Sequence, residues 1–330
     1  MPQVYLGVDA GNSKTLATVV DHRGHLLGLA RGGAGDIYGA RTPQHAIDVV
    51  LDVCSRALDD AGSRVASVSS AAFRLAGVDW PEDEALWRTA LDLYLDDGTS
   101  RSVKNDGFAL LRCASPDGDG VAVSVGTGAA IAARGADGEE FVVSWWFQHY
   151  LGAAGLGSDA LRAVMLAELD MGPATSLTTI LLDFYGASTV EDLLQMFTRR
   201  EGALTHHDKG RAARLVIAQA GGGDEVASAI VDAHAGGIAE YIATSARRVH
   251  LTAPGVALGG SVLASPDSLL RRRVIARLDD ILPDARVREV RGVPVLGCAL
   301  DALAEGGVTI TDELQTLVLG TRLSDEFLTT

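Results

Sequence analysis

The stretch GVDAGNSKT, residues 7–15, leads from an apolar strand through a turn of small residues into a second strand. Val4–Val8 is short and rich in β-formers, and Thr15–Val20 alternates like a strand. A turn at Asp21–Gly24 then leads to a third strand pattern at His25–Ala30. Three strands joined by tight turns predict an antiparallel meander at the start of the fold.

Helical and strand patterns alternate after this meander, so that residues 1–117 have the order βββαβαβα. Residues 118–305 show the same order once a helical insertion at about 156–250 is set aside. We therefore predict an α/β protein of two domains with like topology, followed by an acidic, partly helical tail at 306–330. The cleft between two such domains is a usual place for a ligand.

The composition of the 330 residues is that of a globular protein, with 47% apolar and 22% charged residues. A net charge of −15 argues against a nucleic-acid partner. The longest uncharged segment, Phe141–Ser158, contains glutamine, histidine and glycines, so we expect no membrane span. Cys54, Cys113 and Cys298 are far apart and lack metal-site spacing, which indicates buried free thiols in a cytoplasmic protein.

The turn after the first strand has the residue types of a phosphate site. Glycine lets a phosphate approach the backbone, and successive N–H groups can bind its oxygens. The candidates for this contact are Gly11, Asn12, Ser13, Lys14 and Thr15. Asp9, at the end of the strand, is suited to hold Mg²⁺ directly or through water. The alternative is a plain hairpin with an aspartate in its turn.

The matching hairpin of the second half contains Gly126, Thr127 and Gly128. A Gly-Thr-Gly triplet alone is weak evidence, but its place corresponds to that of Asp9–Thr15 in the first half. Two such hairpins facing across one cleft would hold the β- and γ-phosphates of a nucleotide.

Lys104, Asn105 and Asp106 follow the last strand of the first half. An aspartate there lies at the carboxyl end of a strand, where the ligands of α/β sheets bind. Asp106 could be a general base that takes the proton of a hydroxyl during phosphoryl transfer. Alternatively, it caps the helix that starts at Gly107, which is a common role of aspartate.

A buried strand at Gly255–Leu258 ends in Gly259, Gly260 and Ser261, just before a helix. Paired glycines permit a flat ring such as adenine to pack against the backbone. A tight turn between strand and helix is the alternative explanation for the same residues.

These motifs stand in the order Asp-x-Gly-x-x-Lys-Thr, Asn-Asp, Gly-Thr-Gly and Leu-Gly-Gly-Ser, which resembles the ASKHA superfamily of sugar kinases, actin and hsp70. Within it, the chain resembles the BadF/BadG/BcrA/BcrD ATPase group that contains N-acetylglucosamine kinases. LAGVD at residues 75–79 and PVLGCA at residues 294–299 also fit that group. The resemblance covers roughly residues 4–304. It implies two ribonuclease H-like domains that bind ATP and Mg²⁺ between them.

Carried over residue by residue, the resemblance implies that Asp9 helps to hold Mg²⁺. It implies that Gly11–Thr15 and Gly126–Gly128 bind phosphates. The Gly259-Gly260 pair would lie beside adenosine, and Asp106 would be the base.

The sugar side departs from the family pattern. Family kinases carry Gly-Asp-Glu-Gly-Ser-Gly where this chain has GAAGLG, residues 152–157, so both acids are absent. Asp36 stands where an asparagine typically contacts the sugar, and Tyr38 stands for a nearby tryptophan. Asp36 could pair with a cationic amine, which would favour glucosamine over its N-acetyl form.

Further candidates for contact with the substrate are Asn105, Asp106, Gln148 and His149. Residues 145–150, WWFQHY, fall where the missing acidic loop would lie and could stack on a sugar face. For Trp145 and Trp146, packing in the core or in a dimer interface is the favoured alternative.

We predict an ATP- and Mg²⁺-dependent kinase of a sugar or amino-sugar hydroxyl, with Asp106 as the base in the cleft. The expected partners are a small sugar and a second copy in a homodimer. One alternative is a nucleotide-binding ATPase or sensor that has lost the sugar pocket, because Ala153 and Ala154 replace the two acids. An activator of a radical acyl-CoA dehydratase would need cluster-binding cysteines, and the cysteines here lack that pattern.

Overall fold

The structure, a computed structural model, describes residues 3–126, 128–148 and 151–328. The strands of the first half are β1 (Val4–Ala10), β2 (Thr15–Val20), β3 (Leu26–Gly32), β4 (Val68–Leu75) and β5 (Ser100–Asn105). Its helices are α1 (Pro43–Asp60), α2 (Pro81–Tyr94) and α3 (Leu111–Ala114), with a 3-10 turn at Asp106–Leu110 before α3.

The second half contains β6 (Gly120–Val125), β7 (Ala129–Arg134), β8 (Glu140–Val142), β9 (Gly255–Gly259) and β10 (Arg286–Arg288). A helical segment between β8 and β9 comprises α4 (Ala153–Glu168), α5 (Leu177–Tyr185), α6 (Val190–Thr198), α7 (His206–Gly210), α8 (Ala213–Gly221) and α9 (Glu225–Arg248). The remaining helices are α10 (Leu269–Ile281), α11 (Pro294–Glu305), α12 (Asp312–Leu319) and α13 (Asp325–Leu328).

Each half forms a mixed sheet, with the strand orders β3-β2-β1-β4-β5 and β8-β7-β6-β9-β10 in the described residues. In both sheets the first three strands are antiparallel, and the fourth and fifth run parallel to the first. This confirms the predicted α/β class and the repeated βββαβαβα order. The carboxyl ends of the parallel strands of each sheet therefore lie together, which is where ligands bind in such sheets.

One predicted strand is shorter than its sequence pattern indicates. The pattern favours a strand over Glu139–Ser144, but β8 ends at Val142 and a 3-10 turn at Ser144–Trp146 follows. Ser144 has a φ of 42°, a left-handed conformation that is uncommon for residues other than glycine. A strand cannot continue through such a residue.

The two halves exchange their last helices. Helix α11 packs on β1, β2 and β4 of the first sheet, whereas residues 106–114 pack on β6, β7 and β9 of the second sheet. Gly7 allows the first contact, because a β-carbon there would lie 2.3 Å from the backbone nitrogen of Ala299. Segments from each side of residue 117 thus pack on the sheet formed by the other side. The domain boundary that the sequence places there stays a prediction.

The carboxyl-terminal tail packs against the first half. Val318 and Leu319 of α12 and Phe327 of α13 are buried in one apolar cluster with Leu16 and Val20 of β2. The sequence assigned no role to this segment. Its apolar residues close the outer face of the β1–β2 hairpin.

The three cysteines agree with the sequence analysis. Cys54, Cys113 and Cys298 are buried free thiols, as predicted. In the residues that the structure describes, no helix is long and apolar enough to cross a membrane. Five helices of the insertion, α4, α5, α6, α8 and α9, share a large buried cluster with α10 and the second sheet, so the helical insertion is part of that half's core.

Candidate active site

A cavity of about 430 Å³ lies between the two halves. From the first half it is lined by Asn12, Ser13, Asp36, Tyr38, Ala76, Gly77, Asp79, Asn105 and Asp106. From the second half it is lined by Ser124, Gly126, Gly128, Ala129, Ala130, Ser144 and Trp145. The fold thus brings candidates from both glycine turns, from the segment after β5 and from the predicted sugar side to one cavity.

Asp106 lies in this cavity directly after β5. The following turn is capped by its neighbour instead, since the Asn105 side-chain oxygen accepts a hydrogen bond from the Gly107 N–H at 2.9 Å. The suggestion that Asp106 itself caps the helix is therefore wrong. Because Asn105 fills that role, the Asp106 carboxylate can face the cavity.

The electrostatic surroundings of Asp106 suit a proton acceptor. Burial, and then the negative charges of Asp9, Asp79 and Asp36, raise the pKa of Asp106 to about 7. A carboxyl with such a pKa is a much stronger base than an exposed aspartate, and about half of it is ionised at pH 7.

Asp9, at the end of β1, is the residue predicted to hold Mg²⁺. Burial raises the pKa of its carboxyl to about 6, although the nearby Lys14 ammonium opposes the shift. A buried carboxylate whose charge is incompletely balanced fits a cation. Mg²⁺ on a nucleotide commonly uses one or two carboxylates together with phosphates and water. No cluster of three or more metal-binding side chains occurs among the described residues.

The two glycine turns are only partly confirmed as parts of the cavity. Asn12 and Ser13 line it from the first turn, and Gly126 and Gly128 line it from the second. Thr127 lies outside the described residues. Gly11 donates its N–H to the Lys14 carbonyl at 2.9 Å, which closes the first turn.

The structure does not bring Lys14 and Thr15 to the cavity. The Lys14 ammonium donates to the backbone carbonyl of Leu328 in the tail. Thr15 is fully buried at the start of β2, and its hydroxyl finds no hydrogen-bond partner in the described part of the chain. Their predicted contact with phosphate stays untested, and it would require both side chains to leave these positions.

The Gly259–Ser261 turn lies beside the second glycine turn. Gly260 has a φ of 83°, and a β-carbon there would lie 2.4 Å from the Val125 nitrogen. Val262 then donates its N–H to the Val125 carbonyl at 3.0 Å. A tight strand–helix turn alone therefore explains Gly260. Contact of this turn with adenosine stays a prediction.

Some of the predicted sugar contacts line the cavity, and others do not. Asp36 and Tyr38 line the cavity, as does Asn105. Gln148 lies instead on a separate cavity of about 820 Å³ between α4, α9 and α10, and its N–H donates to the Tyr241 hydroxyl. His149 lies outside the described residues.

The tryptophans after β8 are not core residues. Trp145 and Trp146 are 58% and 61% exposed, so the expectation that they pack in the core is wrong. Trp145 lines the cavity, and its ring meets that of Tyr38 edge to face with a centroid distance of 5.8 Å. The two aromatic rings thus form one wall of the cavity.

Asp79 and Ser144 are cavity residues for which the sequence analysis predicted no role. Asp79 accepts a hydrogen bond from the Asn105 amide at 2.8 Å and is also bonded to the Ser144 side chain. Burial raises its pKa. Asp79 follows β4, so the rule about the carboxyl ends of strands could have identified it. No sequence signal pointed to Ser144, because its orientation depends on the left-handed turn.

The alanines that replace the family's acids are structural. Ala153 and Ala154 are buried in the first turn of α4, and the Ala153 N–H donates to the Gly126 carbonyl at 2.9 Å. They support the second glycine turn from behind. Their methyl groups offer a sugar no polar contact.

The repeated sheets around a cleft define the class to which actin, hsp70 and the sugar kinases belong. Within that class, the chain belongs to the BadF/BadG/BcrA/BcrD ATPase family, whose profile matches residues 6–276. An N-acetyl-D-glucosamine kinase from Dictyostelium discoideum is 23% identical over 315 residues, which cover 91% of this chain and 98% of that protein.

Solved structures agree with this assignment of the fold. A Chromobacterium violaceum structure to which N-acetylglucosamine kinase activity is attributed has a TM-score of 0.68 at 22% identity, covering 92% of this chain and 99% of that chain. A ROK family glucokinase from Streptomyces griseus, in complex with glucose and AMPPNP, has a TM-score of 0.52 at 16% identity, covering 90% and 98%. At these identities the likeness shows the shared fold.

Proposed function

We propose that this protein is an ATP- and Mg²⁺-dependent kinase that phosphorylates a hydroxyl of a sugar or amino sugar. The observation that carries the proposal is the placement of Asp106. Its carboxylate lies in the cleft after β5, its helix-capping role is taken by Asn105, and its pKa of about 7 suits a general base. The names of the relatives support a sugar as the acceptor.

The proposed reaction is a direct phosphoryl transfer. An acceptor hydroxyl within hydrogen-bond distance of Asp106 gives its proton to the carboxylate while its oxygen attacks the γ-phosphorus. The bond from that phosphorus to the bridging oxygen breaks, and ADP leaves. Closure of the two halves would exclude water and hold the hydroxyl in line with the phosphate.

The nucleotide would lie against the second half and the β1–β2 turn. Asn12 and Ser13 face Gly126 and Gly128 across the cavity, in the place where β- and γ-phosphates would be held. Asp9 would hold Mg²⁺ directly or through water, and the ion would offset the charge of the phosphates. Gly259, Gly260 and Ser261 are the proposed adenosine contacts.

The setting that we propose is cytoplasmic, with the protein acting as a homodimer on a small molecule. The alternative of a nucleotide-binding sensor is favoured by Ala153 and Ala154, which cannot contact a sugar through polar groups. The retained Asp106 in the cleft counts against it, because a protein without an acceptor has no use for the base.

The proposal is tested by ADP release from purified protein with Mg-ATP and a panel of N-acetylglucosamine, glucosamine, N-acetylmuramic acid, glucose and mannosamine. At least one sugar should stimulate turnover. Asp106→Asn should then lower kcat by about 10²- to 10⁴-fold, because the hydroxyl proton loses its acceptor. ATP binding, measured separately, should stay within about threefold of the wild-type value.

Asp97→Asn is the matched control, since Asp97 is an exposed aspartate far from the cavity lining. It should leave kcat unchanged. Near-normal turnover of Asp106→Asn would remove the base from the mechanism. ATP binding without stimulation by any sugar would favour the sensor.

A further inference from the structure

The acceptor side of the cavity is negatively charged. Asp36, Asp79 and Asp106 all line it. No lysine, arginine or histidine lines it among the residues that the structure describes. The proposed reaction uses Asp106 as the base, which leaves Asp36 and Asp79 without an assigned role.

Asp36 is held in one position by its surroundings. It is 6% exposed, and its Oδ1 accepts the Tyr38 N–H at 2.9 Å. Two glycines leave room for the carboxylate: a β-carbon at Gly77 would lie 2.5 Å from Oδ1, and one at Gly39 would lie 2.9 Å from Oδ2. Oδ2 accepts no hydrogen bond from any residue within the described ranges, although this carboxylate borders the cavity.

An enclosed carboxylate without a cation is unfavourable unless something else balances it. The ionised form of Asp79 is disfavoured as well, because burial and then the charges of Asp83 and Asp36 raise its pKa. The hydrogen bonds from Ser144 and Asn105 only partly oppose that shift. A ligand with a positive charge would therefore be favoured beside Asp36 and Asp79.

The aromatic wall fits the same kind of ligand. Tyr38 and Trp145 line the cavity next to Asp36, and their rings are in edge-to-face contact. Aromatic faces bind the apolar face of a sugar ring, and they also attract an ammonium group. An acetamide, in contrast, is neutral and cannot offset the Asp36 charge.

We infer that the acceptor carries a free primary amine in its ammonium form, as glucosamine does, and that Asp36 is the residue that selects it. This rests on the proposed kinase function. Asp36 Oδ2 accepts a charge-assisted hydrogen bond from the ammonium, and Asp79 adds to the negative potential at that end of the cavity. Asp106 remains the base for the hydroxyl.

The test compares kcat/KM for glucosamine, N-acetylglucosamine and glucose, which differ only at carbon 2. Wild-type protein should prefer glucosamine over each of the others by about 10- to 100-fold, the range of a hydrogen bond between charged groups. Asp36→Asn should lower kcat/KM for glucosamine by a similar factor. It should lower kcat/KM for glucose by a clearly smaller factor, so that the preference is lost.

Each outcome separates the inference from the function on which it rests. If no sugar is phosphorylated, the proposed function fails. If N-acetylglucosamine or glucose is preferred, or if Asp36→Asn lowers kcat/KM equally for all three sugars, the proposed kinase function is retained and the amine inference is overturned.

Thermal unfolding checks that Asp36→Asn is folded. Asp36→Ser serves as a second variant, because it removes the charge and leaves more space; it should abolish the glucosamine preference as well.

Discussion

Two groups of enclosed acids in this molecule differ in whether arginines pair with them. Behind the cleft, Asp301 of α11 accepts from Arg74 at 2.6 Å and from Arg112 at 3.0 Å, with Arg134 at 3.5 Å. Glu305 contacts the same Arg74 at 2.9 Å. In the cleft, the carboxylates have no such partners among the described residues that line the cavity.

The pKa values follow this difference. Burial alone would raise the pKa of Asp301, but the guanidiniums of Arg74, Arg134 and Arg112 hold it well below its usual range. Burial also acts on Asp106, which lines the cavity, and on Asp9 at the end of β1. For both carboxyls burial prevails, and their pKa values are about 7 and about 6. Arginines thus pair with the buried acid that joins α11 to the first sheet, whereas the acids of the cleft have no cation beside them among the described residues that line the cavity.

The two groups should also act oppositely on stability as the pH changes. The lowered pKa of Asp301 contributes stability that is present above its ordinary pKa of 3.8 and is lost as the pH falls through the folded value. The raised pKa of Asp106 means that folding becomes less favourable as the pH rises from about 4 through 7. Lowering the pH therefore weakens the contribution of the Asp301 network to stability, whereas it removes the unfavourable effect of burying the Asp106 charge.

The largest expected effect comes from breaking the balanced group. Arg74 is fully buried, and it joins β4 to two acids of α11. Arg74→Met should lower the free energy of unfolding by about 3–5 kcal/mol, because it leaves buried carboxylates without their main partner. Urea denaturation at pH 7 measures this.

The matched control is Arg88→Met, which removes an exposed arginine that pairs with Glu84 one turn earlier in α2. It should cost less than about 1 kcal/mol. If Arg74→Met lowered the free energy of unfolding no more than this control does, the ion pairs of Arg74 would not stabilise the packing of α11 on β4. The contrast between the paired acids and the acids of the cleft would then have no effect on stability.

The second prediction concerns the unbalanced group. Below pH 7, Asp106 takes up a proton and can no longer accept one from the hydroxyl, so kcat/KM should fall, approaching tenfold per pH unit at lower pH. Asp9, Asp36 and Asp79 are the acids that raise this pKa together with burial. Asp79→Asn should therefore shift the acid limb to lower pH.

The measurement is a pH profile of kcat/KM in buffers of constant ionic strength, with a sugar that the protein accepts. Asp97→Asn, distant from the cavity, should reproduce the wild-type limb. An acid limb near pH 4, where ordinary aspartates titrate, would show that the cleft does not raise the pKa of its base.

The sequence was sufficient for features that depend on neighbouring residues. Strand alternation and turn signals predicted both meanders, and the position of Asp106 after a strand predicted a cleft residue. The partners of Lys14 and Arg74 could not be predicted in this way, because Leu328 and Asp301 lie hundreds of positions away and meet them only through packing of the tail and α11. Arg74 did leave a signal, as a lone charge in an otherwise uncharged strand.

The smallest expected change in the free energy of unfolding is at the mouth of the cleft, between the acids that are paired with arginines and the acids that line the cavity. Lys104 of β5 pairs with Glu140 of β8, and Glu140 also accepts from Arg134 at 2.7 Å. The pair is partly exposed, and Arg134 would stay on Glu140 if Lys104 were removed. Lys104→Gln should therefore lower the free energy of unfolding by less than about 1 kcal/mol, as judged by urea denaturation beside Arg74→Met.

Activity should also change little in Lys104→Gln, because this ammonium is bonded to Glu140 and does not line the cavity. A loss of 2 kcal/mol or more would show that the charges at the mouth hold the two halves together as firmly as those behind the cleft. The boundary between acids that are paired with cations and acids that are not would then lie between Glu140 and Asp79, after β8 ends at Val142.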